Sequence, residues 1–201
     1  MNDSKSIIRP FLGTVLSLAV LIGVCGCGEA PAVAEIRNLG GEVVDFDKNG
    51  NIEVFLTSTQ VTDVGLVVVE GLTNVELLSL KNTKVTDVGL KHVKGLTDLG
   101  TLSLADTQVT DAGLAHVSGL ANLHTLYLDN TQVTDAGLVH LAGLPELREI
   151  HLENTQVTDA GLMHLAALPK VDRLYLRHTQ VTGDGANKFK QAVPSIIYLD
   201  Y

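Results

Sequence analysis

A chain of 201 residues suits a single domain, and 45% of it is hydrophobic. Only 4% is aromatic and tryptophan is absent, so the core must be aliphatic and assembled from many similar pieces. With 14 basic against 23 acidic residues and a formal charge of −9, the surface is a poor match for a phosphate backbone, which clustered Lys and Arg must hold.

The N-terminus reads as an export address. Lys5 and Arg9 form a positive start, and Phe11 to Val24 is an uncharged apolar run. That run is shorter than the about 20 residues a membrane span needs, and it fits a signal h-region. Val24-Cys25-Gly26-Cys27 then resembles the bacterial lipobox, with a branched residue three before the modified cysteine and a small one just before it. The resemblance implies a signal over 1–26 and a lipid on Cys27, anchoring the chain to a membrane surface of the cell envelope. Cleavage after Ala32-Val33-Ala34, giving a soluble periplasmic or secreted form, and retention of the segment as an anchor are the alternatives. Both cysteines lie here, so the rest of the chain has no disulfide, CxxC pair or thiolate zinc site.

After the leader, residues 27–41 are a tether with a short helix over Ala32–Leu39 ending at Gly40-Gly41. Residues 42–58 then read as a capping hairpin: Glu42–Phe46 and Ile52–Leu56 flank the turn-rich Asp47-Lys48-Asn49-Gly50.

From there a unit of 24 residues repeats. Thr-x-Val-Thr-Asp-x-Gly-Leu begins at Thr59, Thr83, Thr107, Thr131 and Thr155, with a decayed copy at Thr179. Two periods coexist within a unit. Leu126 and Leu128 flank Tyr127 with the period of a strand, while Leu138, Leu141 and Leu144 follow the face of a short helix. Each unit is therefore a strand, a tight loop, a helix of about two turns and a return. Thr134 before Asp135 predicts an N-cap with an acid in the first turn. Gly143 and its equivalents Gly71, Gly95 and Gly119 are expected to end the helices in left-handed conformation.

These residues carry a family resemblance. The unit Leu-x-x-Leu-x-x-Leu-x-Leu-x-x-Thr-x-Val-Thr-Asp-x-Gly-Leu is similar to leucine-rich repeats, near the bacterial and cysteine-containing, ribonuclease-inhibitor-like subclasses. The resemblance implies an α/β solenoid: a curved, right-handed array with parallel strands on the concave face and short helices on the convex face. Curvature also follows from packing, since strands sit about 4.8 Å apart and helices need about 8–10 Å. Seven strands centre on Phe55, Ser79, Ser103, Tyr127, His151, Tyr175 and Asp200. Thr59 and its successors stand where many such repeats carry Asn or Cys, and their hydroxyls are expected to bond backbone in the tight loop. Residues 59–178 make five repeats and 179–201 a degenerate capping repeat, because an open leucine layer needs a cover.

Catalytic and metal signatures are missing from the motifs. His92, His116, His140 and His164 form one column, but their expected spacing is too wide for one zinc. Asp63, Asp87, Asp111, Asp135 and Asp159 form a second, explained by helix capping. Asp45-x-Asp47-x-Asn49-Gly50 imitates the start of a calcium loop, yet Leu56 stands where its bidentate Glu belongs. No GxSxG, HExxH or phosphate loop is present, so no enzyme, cofactor or metal is expected.

What breaks the repeat is informative. The outward strand positions of the first half are small and bland, whereas Tyr127, Glu149, His151, Glu153, Arg173, Tyr175 and Arg177 gather in the second half. Tyr and Arg clusters of this kind serve as interface anchors. The reading is a monomeric scaffold that binds a protein or peptide through its concave sheet and no nucleic acid. A structural envelope protein without a ligand, or glycan recognition through Tyr127 and Tyr175, are the alternatives.

Overall fold

A computed structural model describes residues 30–45 and 50–201. The leader with Cys27 and the Asp47-Lys48-Asn49 turn lie outside the described residues. Among the described residues one sheet of eight strands runs in chain order. Strand β1 (Glu42–Asp45) pairs antiparallel with β2 (Ile52–Phe55), forming the capping hairpin. All later neighbours pair in parallel: β3 (Val75–Ser79), β4 (Thr101–Ser103), β5 (Thr125–Tyr127), β6 (Glu149–His151), β7 (Arg173–Tyr175) and β8 (Tyr198–Asp200). The expected strand centres thus all fall within strands. The result is a leucine-rich-repeat solenoid, with a sheet on one side and short helices on the other.

Aliphatic side chains at fixed repeat positions are wholly buried between these layers, as with Leu102, Leu126, Ile150 and Leu174 along the sheet. Helix α1 (Pro31–Asn38) covers the N-terminal end by burying Ala32 and Ile36. It ends at Gly40, which is left-handed, as Gly-Gly predicted.

The convex side changes along the chain. The first two units form only 3₁₀ turns, Gly65–Val69 and Gly89–His92. Later units form α-helices α2 (Asp111–Leu114), α3 (Asp135–Leu138), α4 (Asp159–Leu165) and α5 (Gly183–Ala192). Residue choice accounts for this: Val64 and Val88 give way to Ala112, Ala136 and Ala160 after the same Asp. Branched valine loses χ1 freedom in a helical turn, and alanine loses none. Two-turn helices throughout were too generous an expectation.

A second correction concerns the glycines. Of Gly71, Gly95, Gly119 and Gly143, only Gly71 has a positive φ. The recurrent left-handed position instead follows each strand, at Ser58, Asn82, Asp106, Asn130, Asn154 and His178, with φ between 54° and 59°. Asn, Asp and His tolerate this region better than most residues. The next threonine closes the corner by donating to the carbonyl three residues back, as Thr131 does to Leu128 at 2.6 Å. The same bond recurs at Thr59, Thr83, Thr107, Thr155 and Thr179, within the threonine's own unit.

The aspartate column does more than cap a helix. Thr110, Thr134 and Thr158 are the N-caps, each accepting from the amide two residues on. Each aspartate reaches into the next unit, where it accepts both the amide and the hydroxyl of that unit's threonine. Asp111 does so from Thr134 at 2.7 Å for both bonds, and Asp63, Asp87, Asp135 and Asp159 repeat the pattern. The invariant glycine of the unit makes room: a Cβ at Gly89, Gly113, Gly137, Gly161 or Gly185 would run into the preceding aspartate.

The last of these staples should be visible in acid. The Thr182 amide, and then its hydroxyl, hold the Asp159 carboxyl below the usual carboxylate range. A lowered folded-state pKa stabilises the fold above the unfolded-state value, and that contribution disappears as pH falls through the folded value. The melting-temperature gap between the wild type and Asp159→Asn is therefore expected to be widest near neutrality and to close in acid. A gap that stayed constant with pH would contradict an ionised staple.

Candidate partner-binding face

Strand register fixes which side chains meet on the concave sheet. Ser79, Ser103, Tyr127, His151, Tyr175 and Asp200 are successive register partners, as are Leu77, Thr101, Thr125, Glu149, Arg173 and Tyr198. Backbone bonds from Asn130 to Glu153 and from Asn154 to Arg177 carry the ladder into a third column. All seven sequence-predicted residues are thus on one surface in the C-terminal half.

Three of them stack. The Tyr127 and His151 ring centres are 4.3 Å apart at 27°, and those of His151 and Tyr175 are 4.0 Å apart at 8°. Offset aromatic packing at such distances is favourable beyond simple burial. A fourth ring, Tyr198, continues the row at 4.9 Å from Tyr175. It belongs to the neighbouring column and leans across. Tyr175 therefore has a ring against it from each neighbouring strand, stacked on the His151 side and tilted on the Tyr198 side.

Charges fix the margins. Glu149 accepts from or pairs with His151 at 2.9 Å and with Arg173 at 3.3 Å. The Arg177 Nε lies 2.6 Å from Asp200, which also accepts from the Tyr198 hydroxyl at 3.2 Å. That contact holds Arg177 protonated even more firmly than usual. Burial, followed by Glu149, pushes the Tyr127 phenol up. Burial also raises the Asp129 carboxyl, against the opposing pull of the Glu153 amide bonded to it at 2.9 Å.

A groove of about 610 Å³ lies on the rim where the strands begin, lined by Glu76, Asp98, Asn122, His124, Glu146 and Arg148 among others. Sequence reading missed it. Its signal was Gly100, which falls between Glu76 and His124 in their column: a Cβ there would press on both. Their side chains meet at 3.6 Å across the gap. On the convex side, His92 contacts Glu70 at 2.5 Å. Among the described residues no group of three or more His, Cys, Asp or Glu is placed to hold a metal ion. No helix among them is long and apolar enough to cross a membrane.

Residues 121–163 match the family model for leucine-rich repeats in two copies. Among solved structures the chain is similar to internalin C2 of Listeria monocytogenes, with a TM-score of 0.55 and 25% identity over 84% of this chain and 82% of that one. It is also similar to a leucine-rich-repeat protein of Leptospira interrogans, with a TM-score of 0.51 and 19% identity over 67% of this chain and 33% of that one. No curated protein matches the sequence. Repeat, register and neighbours agree: the chain carries leucine-rich repeats and folds as a leucine-rich-repeat solenoid.

Proposed function

We propose that this protein is a non-catalytic scaffold that binds a protein or peptide through the C-terminal half of its concave sheet. The packed row of Tyr127, His151, Tyr175 and Tyr198 carries this reading. Solenoids of this kind use the extended surface that their curvature creates. Rings that already rest on one another, beside arginines already held by carboxylates, lose little freedom when a partner arrives.

Truncating interface tyrosines costs about 2 kcal/mol or more at a hot spot, roughly thirtyfold in affinity. Tyr127→Ala with Tyr175→Ala is expected to abolish partner capture from envelope extracts while lowering the melting temperature only by the two lost ring contacts with His151, the fold itself persisting because neither side chain enters the leucine core. Lys91→Ala with His116→Ala, on the convex side, is the matched control and should capture normally. Equal loss from both pairs, or from neither, would overturn a concave site.

The same reading includes export and a lipid on Cys27, supported by the Val24-Cys25-Gly26-Cys27 sequence. Cys27→Ser is expected to release the protein from the membrane fraction and to end its labelling by a fatty-acid probe. Unchanged fractionation and labelling would remove the anchor.

A further inference from the structure

We propose that the N-terminal end of the aromatic row seats an arginine side chain of the partner, stacked on Tyr127 and bonded to Asp129. The proposal rests on the concave-face reading and names the chemistry of what that face takes.

Within the row, His151 is covered by tyrosines on both sides, and Tyr175 by His151 and Tyr198. Tyr127 is different. One face meets His151; the other is turned along the sheet towards its register partner Ser103, whose side chain is far too short to cover a phenol ring. Among the described residues no second ring or cation stacks on Tyr127. The row therefore ends on a bare, partly exposed aromatic plane.

Asp129 stands beside it, two residues on in the turn that follows β5, near enough for its charge to act on the Tyr127 phenol. One of its oxygens accepts the Glu153 amide at 2.9 Å. The permanent cations of this face are taken elsewhere, Arg173 by Glu149, Arg177 by Asp200 and Lys81 by Asp106, and the one basic group that acts on Asp129, His151, is bonded to Glu149. Asp129 makes no ion pair among the described residues, although burial raises its pKa and so makes the charged form costly. Its counterpart in the preceding unit is Ala105, which has nothing to offer a carboxylate.

A bare ring and an unpaired carboxylate on adjoining positions ask for one group with both properties. A guanidinium is planar, permanently charged and able to stack while donating in its own plane. Placed above Ser103, it would continue the ring row at about the 4.8 Å interval that the strands impose. A lysine ammonium supplies the charge without the plane, and a neutral aromatic supplies the plane without the charge. The overall charge of −9 favours the same sign of ligand.

The test is an NMR titration of the full chain with acetyl-Gly-Arg-Gly-amide and with its citrulline counterpart, which keeps the shape and loses the charge. The arginine peptide is expected to shift the amides of Ser103, Tyr127 and Asp129 and to bind about tenfold more tightly than the citrulline peptide. Asp129→Asn should erase that difference. It retains an acceptor for the Glu153 amide, so an unchanged melting temperature is expected and separates lost binding from lost folding. Tyr127→Ala should weaken both peptides. Equal binding of the two peptides, indifference to Asp129→Asn, or shifts centred on Glu76 and Asp98 in the rim groove would each overturn the arginine seat. If capture of the natural partner still required Tyr127 and Tyr175 in that event, only the seat would fall; loss of the concave reading appears in the capture experiment alone.

Discussion

Phe189→Ala is expected to destabilise the fold by about 3–5 kcal/mol, a large part of the roughly 5–15 kcal/mol that holds a domain together. Phe189 is fully buried in α5, the helix that closes the C-terminal end. It succeeds Val69, Val93, Val117, Leu141 and Leu165 at one repeat position, all of them fully buried. Three residues earlier, the column Leu66, Leu90, Leu114, Leu138 and Leu162 ends in the buried Ala186. The closing unit has thus exchanged a large and a small side chain between adjacent positions. Removing the ring leaves two alanines together, with no large side chain at either position to fill the space. Phe189→Leu alone should still be costly, whereas Phe189→Leu with Ala186→Leu should recover part of the loss, because it restores the pair that Leu162 and Leu165 form in the preceding unit, although two leucines are bulkier than Phe with Ala. Thermal unfolding of the three variants checks this. A double variant no better than Phe189→Leu would mean that the aromatic shape matters more than volume.

Gly137→Ala should cost about 2–3 kcal/mol, seen as a fall in melting temperature of roughly 5–10 °C. The conformation is not the obstacle, since Gly137 lies in a helix with ordinary dihedrals. The obstacle is Asp111: a methyl at Gly137 would press on its carboxylate and sit 3.1 Å from its Cα. Moving the carboxylate aside breaks both bonds to Thr134. Gly143→Ala provides the contrast, because an added Cβ there has nothing within 4 Å and φ is not positive. That change should be neutral, or stabilising by about 0.4–1 kcal/mol through the unfolded chain. Similar effects at the two sites would refute the view that Gly137 is dictated by its neighbour's aspartate.

Much of the architecture was legible because the repeat itself is. Leu126 and Leu128 flanking Tyr127 set the strand, and Thr134-Asp135 set the start of α3. Features that depend on relations between units were harder to read. The aspartate column had a sufficient local explanation in capping, so its reach to a threonine 23 residues away left no separate trace. The left-handed corner was hidden because four residue types serve it: Ser58, Asn82, Asp106 and His178 among them. The valines after Asp63 and Asp87 carried a propensity signal that a pattern of leucines overrode in the reading. On the binding face the columns were correct, but Tyr198 joined the rings by leaning out of its own column, and Asp200 captured Arg177. Side-chain reach across a sheet is set by rotamers, which a register alone does not specify.

The aspartate staple has a direction. Asp63 serves Thr86, and the series proceeds unit by unit to Asp159 and Thr182; nothing in it runs the other way. A unit therefore presents a finished acceptor to whatever follows it and receives one only from what came before. Because a chain is made N-terminus first, each acceptor is synthesised before the donors that use it. A unit grafted behind Asp159 inherits a socket, whereas one grafted ahead of Thr62 must bring its own.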